Sequence, residues 1–250
     1  MNREANIARF EAELSKVDRL GMDRLLDYIR KSDFYTAPAS TRFHLSCEGG
    51  LLQHSLNVLD ALRGLLEPEP DSNGQGWVYK VAGKKLVHYS DETVVLVALL
   101  HDICKTYFYK PSTRNVKNEQ TGKWEKVPTY TVEDRMPLGH GSKSAMLVKE
   151  YITLTGPEMY AIWWHMGFTD TQDLASLGQA IDKYPLVWAL HTADMMASHY
   201  MEADTGNKAP FDEIQRPEPR PDPPGVMEPE APPPPEDEDA EPVFEEVEAR

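Results

Sequence analysis

SDETVVLVALLHDICKTY, residues 90–107, is the stretch on which the reading of this chain turns. Ser90 is a suitable N-cap, because its hydroxyl can accept from a free amide of a first helical turn, and Asp91 and Glu92 suit the positive end of a helix dipole. Residues 94–100 are apolar without interruption, so the segment predicts a helix to about Tyr107 that is buried on every side and central to the fold. The run is far shorter than the ~20 residues a bilayer-spanning helix needs. Near its end stand His101 and Asp102, and Val94, Val97, Ala98 and His101 share one stripe, so the imidazole faces neighbouring helices.

Working outward, Met22, Leu25, Leu26 and Ile29 follow the i, i+3, i+4, i+7 spacing of an amphipathic helix. Residues 36–50, with Pro38 and the Gly49, Gly50 pair, read as a loop that delivers the chain into a helix over about 51–66. On that helix Leu51, His54, Val58 and Leu62 share a face, which turns His54 inward. Residues 68–76 are rich in turn formers, and residues 77–88 suggest a short hairpin bending at 82–85. Aromatics, threonines and charges between Tyr107 and Pro137 predict a β-hairpin insertion about residues 118–123. Helices resume at about Ser142. Thr155 with Glu158 fits a capping box, Pro157 is tolerated in a first turn, and Gly167 supplies a stop beyond His165. The last helix runs from Pro185 to about Met201 and carries Val187, Leu190, Asp194 and Ala197 on one stripe. The expected fold is mostly α: one compact helical bundle over residues 1–205 with a β-hairpin insertion.

Residues 206–250 differ in kind. Of the 41 acidic residues 14 lie in 211–250, against 3 of the 26 basic ones, together with 11 of the 20 prolines. The segment reads as a disordered, acidic, Pro-rich tail suited to a protein partner. Without it the net charge falls from −15 to −4. A body of that charge lacks the basic excess of a protein that grips long duplex DNA. Two cysteines are too few for a disulfide framework, and the charged first twenty residues leave no core for a secretory signal, so a cytoplasmic protein with no membrane contact is expected.

With eight histidines in the chain, one His–Asp dipeptide means little. Placement gives it weight. His101 and Asp102 end the most apolar helix, while His54 and Asp194 occupy inward faces of two others, and burying such groups without partners costs several kcal/mol. A shared cation removes that cost. For a mixed imidazole and carboxylate set the suitable ions are Mn²⁺, Fe²⁺, Co²⁺, Ni²⁺ or Zn²⁺, with Mg²⁺ where carboxylate and water dominate. The plainer alternative is a set of buried polar residues that satisfy one another. Two more histidines, His140 and His165, stand at helix junctions.

Five stretches together resemble the HD-domain superfamily of metal-dependent phosphohydrolases: GGLLQHSLNV (49–58), ALLHDICK (98–105), LGHGSKSA (138–145), AIWWHMG (161–167) and ALHTADMMAS (189–198). Within it the HD domain of bacterial 3′→5′ exoribonucleases is the nearest in look, although this chain has no room for their N-terminal OB-fold. The resemblance implies that His54, His101, Asp102 and Asp194 hold a first ion and that His140 and His165 help hold a second, with Asp102 bridging. It also implies that Lys105 lies near a substrate phosphate. Cys104 stands where the family often has Gly.

The implied reaction is hydrolysis of a phosphoester in a nucleotide or a short single-stranded nucleic acid by metal-activated water. Asp102 would orient or deprotonate that water, and Lys105, Lys143 and Arg42 would offset charge on the phosphoryl oxygens. Two other readings share the ligand set: a di-iron HD-type oxygenase of a small polyol or phosphonate, and a dNTP triphosphohydrolase, whose usual motif is missing here.

Overall fold

The computed structural model describes residues 2–202 apart from 42, 71, 73, 119–120 and 170–172. Arg42 and the acidic tail over 206–250 therefore lie outside the described residues. Everything described belongs to one folded unit, Met1–Asp204.

Among the described residues there are eight α-helices: α1 Arg3–Leu14, α2 Met22–Lys31, α3 Gly50–Leu65, α4 Asp91–Leu100, α5 His140–Lys149, α6 Gly156–Trp164, α7 Leu174–Lys183 and α8 Pro185–Met196. Two antiparallel sheets accompany them. β1 (Glu67–Pro68), β2 (Gly76–Val81) and β3 (Lys84–Ser90) form the first in the order β1-β2-β3, and β4 (Tyr109–Lys117) pairs with β5 (Trp124–Val132) in the second. The fold is thus mixed α/β, and the expected mostly-α bundle is corrected. The reason lies in residues 67–90, whose Trp77, Val78, Tyr79, Val87 and Tyr89 are β-branched or aromatic and pair across β2 and β3. Pro68, expected in a turn, and Glu67 before it pair with Trp77 and Val78 as a third strand. The β2–β3 turn is Ala82 and Gly83, both at positive φ (50° and 76°), the backbone that a two-residue hairpin loop requires.

The core forms around α4. Every residue from 94 to 100 is buried, and α4 packs against α3, α1 and α6. Ser90 caps it, its hydroxyl accepting from the Thr93 amide. α3 in turn packs on α8, and α6 packs on both α5 and α8, so the inward faces of α3, α4, α6 and α8 converge. A buried carboxylate ties this core to the N-terminal segment. Glu158 of α6 is fully buried, closes the capping box with Thr155, and receives both terminal nitrogens of Arg19 at 2.7 Å and the Thr93 hydroxyl at 2.8 Å. Among the described residues no helix is long and apolar enough to cross a membrane.

Candidate metal centre

The helix expected to reach Tyr107 ends at Leu100, and this break creates the site. His101 is its C-cap, Asp102 adopts a bridge-region backbone (φ −112°, ψ 16°), and a 3-10 turn, Ile103–Lys105, follows. In a continuous helix adjacent side chains diverge by about 100°. With the helix interrupted, His101 and Asp102 face one space, His101 Nε2 lying 3.5 Å from Asp102 Oδ2. α3 brings His54, the C-cap of α6 brings His165, and α8 brings Asp194 to the same place. His54, His101, Asp102 and His165 are each at most 2% exposed.

Hydrogen bonds at the far side of each ring set its tautomer. His101 Nδ1 donates to the Ala98 carbonyl at 2.8 Å and His165 Nδ1 to the Ile162 carbonyl at 2.7 Å. His54 Nδ1 donates to both Glu202 oxygens, at 2.9 and 3.1 Å. A neutral imidazole with N–H at Nδ1 carries its lone pair at Nε2. All three Nε2 atoms point at one another or at carboxylate oxygens. His54 Nε2 is 3.2 Å from His101 Nε2, 3.2 Å from Asp194 Oδ1 and 3.6 Å from Asp102 Oδ2. His165 Nε2 and Asp102 Oδ1 lie 3.5 Å apart, longer than a good hydrogen bond, and neither has another partner.

Lone pair facing lone pair in a buried space is repulsive unless positive charge stands between them. The site therefore fits a metal ion. His54, His101 and Asp102 offer ligand atoms within 4.8 Å of one another, and so do His101, His165 and Asp194. Proton affinities express the same demand. Burial lowers that of His54, but hydrogen bonds and charge from Asp194 and Glu202 outweigh it and raise its pKa to about 10. Burial lowers His101 to about 4, so its Nε2 stays bare. Burial opposes the Asp102 charge, yet Lys105, His101 and His165 together hold its carboxyl well below the usual range.

A small cavity of about 130 Å³ opens onto this centre, bordered by His44, His54, Asp102, Lys105, Asp194 and Ser198 among others. Lys105 is buried there, its ammonium 2.6 Å from Asp102 Oδ2 and donating to the Ala39 carbonyl at 2.8 Å. The other expected contacts fall elsewhere. Lys143 is buried but lines a separate cavity of about 220 Å³ with Tyr28, Phe108 and Met136, where it pairs with Asp134 at 2.8 Å. His140 begins α5, with Nδ1 3.6 Å from Cys104 Sγ, and among the described residues is in none of the groups that bring three ligand atoms together. α5 starts two residues earlier than the pattern suggested and is held beside the 3-10 turn by the Ser144 hydroxyl, an acceptor for the Cys104 amide.

Glu202 is the functional residue that sequence reasoning missed. It lies eight residues after Asp194, off the Asp194 face of a regular helix. A π-helical turn, Ala197–Met201, absorbs one residue and returns Glu202 to the place that i+7 would occupy. His191, one turn before Asp194 on α8, donates from Nδ1 to the His165 carbonyl at 2.7 Å. Gly167 makes room for it: at φ 56°, a Cβ there would stand 2.6 Å from the His191 ring.

No family model, curated protein or solved structure matches the chain.

Proposed function

We propose that this protein is a metal-dependent phosphohydrolase of the HD-domain type, hydrolysing a phosphoester of a nucleotide or short single-stranded nucleic acid. The observation that carries the reading is the convergence of three imidazole Nε2 atoms and two carboxylates beside a buried lysine, next to a small cavity that His54, Asp102, Lys105 and Asp194 border. Imidazole with carboxylate suits Mn²⁺, Fe²⁺, Co²⁺, Ni²⁺ or Zn²⁺ better than Mg²⁺. His54, His101, Asp102 and Asp194 would hold the principal ion. His165 with Asp102 Oδ1 would take part in a second, the two ions sharing Asp102. The motif resemblance implies the same set together with His140.

A bound divalent ion supplies Lewis acidity, bringing the pKa of its water toward neutrality. The chain does the rest. Asp102, held anionic by Lys105, would orient that water. The ammonium of Lys105 stands at the cavity wall, where it can turn from Asp102 to a phosphoryl oxygen and offset the charge that grows there. A cavity of about 130 Å³ beside Lys105 and Asp102 has room for a phosphoryl group.

The test is turnover of chromogenic phosphate mono- and diesters with Mn²⁺, for the wild type and Asp102→Ala. Metal-dependent cleavage that the variant loses is expected. Absence of cleavage with any of the six ions would remove the hydrolase reading, and iron-dependent oxygen consumption would replace it with the oxygenase.

A further inference from the structure

We propose that Glu202 is a positioning residue of the metal centre, fixing the tautomer and tilt of His54 so that Nε2 presents its lone pair to the ion. The inference rests on the metal reading above, but its residues and its test differ. The Glu202 carboxylate is wholly buried and spans His54 Nδ1 with both oxygens. An ionised carboxylate only accepts hydrogen bonds, so a proton sits on Nδ1 and Nε2 is the nitrogen left to an ion.

The charge on Glu202 is held by a directed chain of amides. Asn57 Nδ2 donates to Glu202 Oε1 at 2.9 Å. With its amide so turned, Asn57 Oδ1 accepts from Gln53 Nε2 at 2.8 Å, and Gln53 Oε1 accepts from Asn6 Nδ2 of α1 at 2.7 Å. Each donor points the same way, toward the carboxylate. Bonds so aligned polarise one another and favour negative charge at the receiving end. His44 faces the same carboxylate from the other side, Nε2 3.9 Å from Oε2. A metal-bound histidine held at its second nitrogen by a carboxylate is both better oriented and more basic as a ligand. The π-helical turn gains a purpose here, since only that extra residue brings Glu202 onto the His54 ring.

The experiment is titration of the full-length, metal-stripped protein with Co²⁺, read by calorimetry and by the visible absorption of the bound ion. Glu202→Gln keeps the shape and one acceptor but loses the charge. It should weaken Co²⁺ binding by about 10–100-fold, and because the metal-free fold loses a buried pair as well, the comparison is made at a temperature where both proteins are fully folded. In a His54→Ala background the same substitution should have little further effect. A Co²⁺ affinity within twofold of wild type, or an equal loss in the His54→Ala background, would make Glu202 a structural tie only. Should Glu202→Gln fail to fold, Asn57→Leu tests the same point, because it leaves the carboxylate and removes one donor; it should weaken binding in the same direction and by less. A wild type that binds no Co²⁺ would overturn the metal reading and this inference together. Binding with the predicted Glu202 dependence but no ester turnover would leave this inference standing and sink the hydrolase alone.

Discussion

Replacing Lys105 by Met should destabilise the metal-free protein, strengthen its hold on the ion and slow turnover, three effects of different sign from one side chain. In the metal-free protein the ammonium is the nearest positive charge to a buried carboxylate, 2.6 Å from Asp102 Oδ2. Unit charges at that distance attract by about 6 kcal/mol at an effective dielectric constant near 20. Desolvation of both partners takes back part of this, and removing one member of such a pair costs about 3–5 kcal/mol. Met fills most of the volume, so little of that loss comes from packing. A divalent ion at His54, His101 and Asp102 would share Asp102 Oδ2 with the ammonium and be repelled by it, so Lys105→Met should bind Mn²⁺ more tightly. Saturating Mn²⁺ should then raise the stability of the variant more than that of the wild type. Turnover should fall about 10²–10³-fold, the usual loss when one group that offsets transition-state charge is removed. Urea unfolding with and without Mn²⁺, with calorimetric titration and an ester assay, reads all three. A metal-free variant as stable as the wild type, or one that binds Mn²⁺ less tightly, would refute the reasoning.

Three further outcomes follow from separate features. Gly141→Ala would put a Cβ 2.0 Å from the Trp163 carbonyl oxygen and 2.6 Å from that of Ile162, so α5 and α6 must separate. The cost should be at least 1–3 kcal/mol and the melting temperature should fall by several degrees, with weaker metal binding as His165 moves; an unchanged melting curve would contradict the close approach. His140→Ala should leave the number of bound ions per chain unchanged by elemental analysis, and loss of one equivalent would restore His140 as a ligand. For Glu158, burial raises the carboxyl pKa but Arg19, the Thr155 amide and the Thr93 hydroxyl outweigh it, so the folded value lies below 4.5. A depressed carboxyl contributes stability that is present above 4.5 and lost as pH falls through the folded value. Glu158→Gln should therefore cost about 3 kcal/mol at pH 7 and progressively less below pH 4.5, by urea midpoints; a pH-independent difference would exclude the ion pair as its cause.

Much of this site is legible in the chain because helical periodicity survives burial. His54 and Asp194 read as inward-facing from neighbours at i±4 and i+3, and the structure brings both to the centre. The approximate end of α6 followed from Gly167, which indeed has positive φ. What the chain hides is where regular structure gives way. Nothing in ALLHDICKTY stops a helix at Leu100, since no Gly or Pro is present, yet that stop is what lets His101 and Asp102 act together. The π-helical turn that returns Glu202 to the site is equally silent, because a single extra residue leaves the apolar pattern almost intact. α7 was overlooked although Leu174, Leu177 and Ile181 keep helical spacing; Gly178 and the loop before it blur the signal. The sheet at β1-β2-β3 was seen only as a hairpin, because a two-residue strand has no pattern of its own and exists through its partner.

The residues of the candidate metal centre are drawn from positions 54, 101, 102, 165 and 194, with Glu202 joined to His54 across 148 residues of chain. Contacts of such separation carry a large loop-closure cost and form late, after the local helices and hairpins have assembled. A complete ion site therefore exists only once nearly the whole domain is in place. Interactions made after the transition state slow unfolding without speeding folding. An ion bound here would act as a clasp closed last: folding would proceed at the same rate with or without it, and its dissociation would govern how long the folded chain endures.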